Sequence, residues 1–123
     1  MNPNIVHMNQ KGGHMLEALL GSVNKEKVLI YIFSRESGYA REIADFYNIS
    51  LTSVVKQLKK LEEGSVLYAE MQGRTKVYKF NPRYPFMNEL KLLLEKVLSF
   101  YPDKMIKELT FNRRRPRRTN KPL

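Results

Sequence analysis

The hydrophobic period of this chain switches from helical to strand-like after Gly64 and back after Phe80, and that pattern limits the folds open to it. Before Gly64, apolar residues recur every three or four positions; from Val66 to Phe80 they alternate with a period near two, and the helical period then returns. Short helices, one hairpin and a further helix must therefore share one core. The 123 residues allow one domain, and 42% hydrophobic content is enough to give it an interior.

Local signals divide the helical part. A short apolar segment, Leu16 to Leu20, ends at Gly21; Ser22 or Asn24 then caps a helix from Lys25 to about Ser34, with Val28, Leu29, Ile32 and Phe33 as its core stripe. Ser37 and Gly38 interrupt the pattern. A second helix, Ala40 to Tyr47, places Ile43, Ala44 and Tyr47 on one face. Asn48 takes a tight turn, Ile49 adds an apolar anchor, and Ser50 caps a third helix from Leu51 to Glu63. Gly64 is expected to stop that helix by adopting positive φ.

Beyond it, Val66 to Met71 and Thr75 to Phe80 read as two strands turning at Gln72-Gly73. Asn81 to Pro85 ends the hairpin, and Pro85 suits the first turn of a long helix, Phe86 to Tyr101. Pro102 closes that helix. A further short helix is expected between Asp103 and Phe111, ahead of the segment NRRRPRRTNKPL. The expected organisation is a disordered leader over 1–14, a domain over 15–101, and a short helix with a basic tail over 102–123. Met8 and Met15 are both candidate starts, so His7 and His14 are given no role.

Two short helices joined by a tight turn, followed by a hairpin, is the order of a winged helix-turn-helix. The expected fold class is thus α+β, mostly α, with a two-stranded wing and a long C-terminal dimerisation helix. The third helix has the faces such a reader needs. At about 100° per residue, Val54, Leu58 and Leu61 share a sector of about 60°. Thr52, Lys56, Lys59 and Glu63 point the other way, flanked by Ser53, Val55 and Lys60, with Ser50 and Leu51 at the start. Hydroxyls can bond base edges or phosphates, Val55 can meet a thymine methyl, and lysines neutralise phosphates. Lys56 is the foremost candidate for reading a base. On the hairpin, Arg74 is placed to enter a minor groove, and Lys76 and Lys79 to rest on the backbone or to guard an edge strand.

Charge agrees with this placement. The chain carries 22 basic and 12 acidic residues, a net +10. Ser50 to Arg83 accounts for +4 of it and Arg113 to Lys121 for +6, so the rest is neutral on balance. A field of that sign gathers polyanions. In the tail, Arg113, Arg114, Arg115, Arg117, Arg118 and Lys121 stand without one acid. Three readings are open for them: an arm following phosphates or a minor groove, a generic RNA-binding segment, or a solvated tail.

The stretches YAREIADFYNISLTSVVKQLKKLEEG and VLYAEMQGRTKVYKFNP resemble winged-helix regulators of the ArsR-like class, over Leu16 to about Tyr101. The resemblance implies a homodimeric transcription factor, usually a repressor, that reads near-palindromic double-stranded DNA with Leu51 to Glu63. Metal-sensing members carry paired cysteines; this chain has no cysteine, so a thiolate sensor is excluded. Gly64-Ser65 stands where many relatives have a small residue and then glycine, which alters the turn into the wing. The stripe on the last helix exceeds what its own domain needs, which makes Leu90, Leu93, Leu94, Val97, Phe100 and Tyr101 interface candidates. The reading helices of such a dimer should lie roughly 34 to 36 Å apart.

An enzyme is the weakest class. Both histidines lie in the leader, Asp45 and Asp103 are the only aspartates, and the adjacent Glu62 and Glu63 diverge on a helix. No cofactor and no metal are expected, and no effector is identified. The longest apolar run, Val28 to Phe33, is far shorter than the ~18 residues of a membrane span, and a cytoplasmic location is expected. The alternative function is a protein- or RNA-interaction module, such as the autoregulating antitoxin half of a toxin–antitoxin or nucleotidyltransferase pair.

Overall fold

A computed structural model describes residues 15–110. The expected leader and the arginine tail lie outside the described residues. Within them the order is α1 (Glu17–Leu20), α2 (Val23–Arg35), α3 (Ala40–Tyr47), α4 (Leu51–Glu63), β1 (Leu67–Gln72), β2 (Thr75–Phe80), α5 (Met87–Leu98) and α6 (residues 103–110). This is a winged helix-turn-helix, mostly helical, with one two-stranded antiparallel sheet.

Caps set the helix boundaries. Gly21 ends α1 at φ +77°, and the Ser22 hydroxyl accepts the Lys25 N–H at 3.1 Å, so α2 starts at Val23, ahead of the expected Lys25. Asn48 occupies the left-handed region at φ +58°, while the Ile49 N–H reaches back to the Ala44 carbonyl at 3.1 Å. The chain can therefore enter α4 two residues later. There the Ser50 hydroxyl accepts the Ser53 N–H at 3.0 Å.

Three turn assignments need correction. Gly64 has φ −86°, and it is Ser65 that takes positive φ, at +66°. The Ser65 and Val66 amides bond back to the carbonyls of Glu62 and Leu61, so the reversal falls one residue later than expected. The hairpin loop is Gly73-Arg74, with Gln72 paired to Thr75; Gly73 at φ +64° supplies the first loop residue of a II′-type turn. Pro85 precedes α5 rather than opening it. Tyr84 N–H bonds to the Asn81 carbonyl and Met87 N–H to that of Tyr84, and these successive turns delay the helix to Met87. At its other end α5 stops at Leu98, because Phe100 and Tyr101 bond three residues back and tighten the chain.

The core gathers Val28, Leu29 and Ile32 from α2, Ile43 and Ala44 from α3, and Val54, Leu58 and Leu61 from α4. Leu67 and Tyr78 join from the wing, Leu94 and Val97 from α5, and Leu109 from α6. Each large aliphatic side chain contributes roughly 1.5–3 kcal/mol by leaving water. At the centre lies a carboxylate, Glu26, with no exposed surface. Its oxygens accept the Leu16 N–H at 2.7 Å and the Tyr101 hydroxyl at 2.8 Å, joining the start of the domain to the segment after α5.

Candidate nucleic-acid interface

Burial of Val54, Leu58 and Leu61 orients α4 and turns its other face outward. Thr52, Val55, Lys56, Lys59, Lys60 and Glu63 are exposed on that face. Leu51 and Ser53 are half-buried at the start of the helix, and exposed Ser50 is engaged in capping, its hydroxyl donating to that of Ser53 at 2.7 Å. Among the described residues Lys56, Lys59 and Lys60 form no ion pair. Their ammonium groups, three and four positions apart, make a continuous cationic strip.

The wing is joined to this helix in two ways. Gly38, just before α3, pairs with Tyr78 of β2: the Gly38 N–H donates to Tyr78 O at 3.0 Å and the Tyr78 N–H to Gly38 O at 2.7 Å. A Cβ at Gly38 would meet the Tyr31 ring at 3.1 Å and the Ile43 side chain at 3.2 Å, so a larger residue would have to push those side chains back by a few tenths of an ångström. Lys76 reaches Glu62 of α4 at 3.3 Å and lies 5.5 Å from the centre of the Tyr78 ring. The Glu62 carboxylate, then Tyr78, holds the Lys76 ammonium above the usual lysine range. Lys79 pairs with Glu70 at 3.1 Å on the neighbouring strand, and the Glu70 carboxyl is held below its usual range by that bond. Lys76 thus splices wing to helix. Among the described residues Arg74 is the wing cation without a carboxylate, exposed at the loop.

The six dimer candidates do not stay together. Leu94, Val97 and Tyr101 are buried in the domain's own core, so they are corrected from interface to core residues. Their turn of α5 faces α2, which the sequence could not orient. Leu90 is half-buried, while Leu93 and Phe100 remain 38% and 55% exposed. Phe86, Leu92 and, on α1, Leu19 are exposed apolar residues that the sequence reading missed. Phe86 and Phe100 lie just outside the two ends of α5, and Leu93 lies on the helix between them. Arg41, exposed on the first turn of α3, was missed as a cation beside the reading helix. Arg113, Arg114, Arg115, Arg117 and Arg118 lie outside the described residues.

A cavity of about 320 Å³ lies between α2, the end of α4 and α5, with Leu29, Leu61, Val66 and Leu90 in its lining and Lys25 and Glu89 among its charged residues. Among the described residues no group of three or more metal-ligating side chains comes together, and no helix is long and apolar enough to cross a membrane.

This arrangement has solved counterparts. The chain is similar in fold to the transcriptional regulator BldR from Sulfolobus solfataricus, with a TM-score of 0.53 and 14% identity over 88% of this chain and 75% of that one. It is also similar to Lactococcus lactis ZitR, solved as a doubly substituted mutant in apo form, with a TM-score of 0.50 and 19% identity over 85% and 83% of the two chains. No protein-family model matches the sequence, and no curated protein sequence matches it. At these identities the likeness establishes the fold.

Proposed function

We propose that the protein is a sequence-specific DNA-binding transcriptional regulator, a cytoplasmic, non-enzymatic repressor of the ArsR-like kind that acts as a homodimer. Helix α4 would enter the major groove while the wing, residues 72–79, rests on the minor groove. The observation that carries this reading is the exposed strip of Lys56, Lys59 and Lys60 on the outer face of α4, beside a wing that Lys76 joins to Glu62 and whose loop exposes Arg74; neither the strip nor Arg74 is paired with a carboxylate among the described residues. Thr52, Val55 and Lys56 lie where base edges would be met; Lys59, Lys60 and Arg74 would meet phosphate or minor groove, and the arginines from Arg113 to Arg118 would follow the backbone. BldR, described as a transcriptional regulator, shares the fold and supports the assignment.

Exposed Leu92 and Leu93 on α5, with exposed Phe86 and Phe100 just beyond its ends, support the second copy as the partner of α5. Gel retardation with a palindromic fragment from upstream of its own gene tests the proposal. Retardation should weaken with salt at a log–log slope of about −0.9 per neutralised phosphate, and the joint change Thr52→Ala, Lys56→Ala should abolish preference for the fragment. Equal binding to fragment and scrambled duplex would overturn it.

A further inference from the structure

The cavity between α2, the end of α4 and α5 takes no part in the DNA reading, and its lining suits an apolar guest. Its volume, about 320 Å³, falls within the range of small-molecule sites. At ~30 Å³ per water, that is room for on the order of ten waters. Leu29 and Leu61 line it from the buried core, Leu90 is half-buried beside them, and the rings of Tyr84 and Phe86 meet edge to face with centres 5.7 Å apart. Water among such side chains finds few hydrogen-bond partners, so an apolar body displaces it at little cost.

Two charged residues complete the lining. Lys25, half-buried, comes from the first turn of α2, and Glu89, exposed, from the first turn of α5. Among the described residues neither forms an ion pair, with the other or with any third group. The first turn of a helix disfavours a cation and favours an anion, so a carboxylate brought to Lys25 is drawn by the ammonium and by the end of α2 together. Glu89 offers the matching acceptor for a cation. An uncharged apolar molecule leaves both groups unused, a monoanion meets like charge at Glu89, and a simple amine meets it at Lys25. A zwitterion with an apolar side chain satisfies both.

We propose that the cavity binds a free apolar α-amino acid of about the size of leucine, with its carboxylate on Lys25, its ammonium on Glu89 and its side chain against Leu29, Leu61 and Leu90. The assignment goes beyond the DNA reading and does not depend on it, because the guest meets this protein alone. Leu61 belongs to α4 and Leu90 to α5, so an occupant bridges the two helices.

Isothermal titration calorimetry on the full chain compares L-leucine with isocaproate, which lacks the ammonium, and isoamylamine, which lacks the carboxylate. Leucine should bind with a Kd of about 1 mM or lower, and each analogue at least about tenfold more weakly, since each loses a charge-assisted bond. Lys25→Met should weaken leucine about tenfold without weakening the amine, and Glu89→Gln should weaken leucine as much without weakening the acid. Leu90→Trp, which fills the cavity, should abolish binding of all three. Should circular dichroism show Leu90→Trp unfolded, Leu90→Phe is read by the same criterion. Either analogue binding as tightly as leucine, equal losses of leucine and isocaproate from Glu89→Gln, or no leucine binding at about 10 mM would overturn the proposal. In the last case, sedimentation of Leu90→Trp as a protomer where the unsubstituted chain is a dimer would assign the cavity to the second copy instead.

Discussion

Helices α4 and α5 are alike in length and in the way they hold the core, and they differ in what they leave outside. Both bury a stripe, Val54, Leu58 and Leu61 in one and Leu94 and Val97 in the other. The outer face of α4 carries Thr52, Lys56 and Lys59, which water solvates well. The outer face of α5 carries Leu92, with Leu93 at the edge and Phe86 and Phe100 just beyond its ends, and gains free energy only by meeting another apolar surface. One packing rule for the inner faces thus leaves two chemically different outer ones.

The largest expected effect would show that the inner faces are equivalent. Leu58→Ala and Leu94→Ala, both at sites with no exposed surface, should each cost about 2–5 kcal/mol in urea unfolding, whereas Leu93→Ala should cost under about 1 kcal/mol in the isolated protomer. Equal costs for Leu93 and Leu94 would abolish the distinction between core and edge on α5. Removing the buried anchor of the two segments, Glu26→Ala, takes away the carboxylate that accepts from the Tyr101 hydroxyl and the Leu16 amide and should cost about 1–3 kcal/mol on the same assay.

The outer faces should separate by readout. Lys56→Ala should lower DNA affinity about tenfold with unfolding unchanged, and Leu93→Glu should shift sedimentation from dimer to protomer with the fold intact. If Leu93→Glu instead left the assembly unchanged, the apolar edge would have another use. The smallest effect concerns the junction between α4 and the wing: Ser65→Gly, at φ +66°, should raise stability by about 0.5–1 kcal/mol, while Gly64→Ala, with φ −86° and only ordinary contacts for a new methyl group, should be close to neutral.

The parts legible in the sequence were those encoded locally. Ser50 and Asn48 act on neighbours within a few residues, so the bounds of α3 and α4 follow from the string of letters. The outward set on α4 is equally local, since a helix of known phase has only one face opposite its apolar stripe. The α5 stripe was less informative, because its apolar residues cover more of the helix than one neighbour needs, and periodicity cannot say which edge α2 will take. The position of the left-handed residue also escaped, since Gly64 and Ser65 both permit the turn and the bonds of Ser65 and Val66 to α4 choose between them.

Sequence alone determined the element order, the polar outer face of α4, and the concentration of positive charge in two segments. Each follows from spacing, capping chemistry or counting within a short stretch. Tertiary structure decided what lies far apart in the chain: that Leu94, Val97 and Tyr101 turn inward, that Lys76 is joined to Glu62, that Gly38 joins the wing, and that Arg35 bonds to the Glu108 and Leu109 carbonyls of α6. The physical reason is that a side chain's partner across the core depends on how whole helices pack, and no local pattern records that choice.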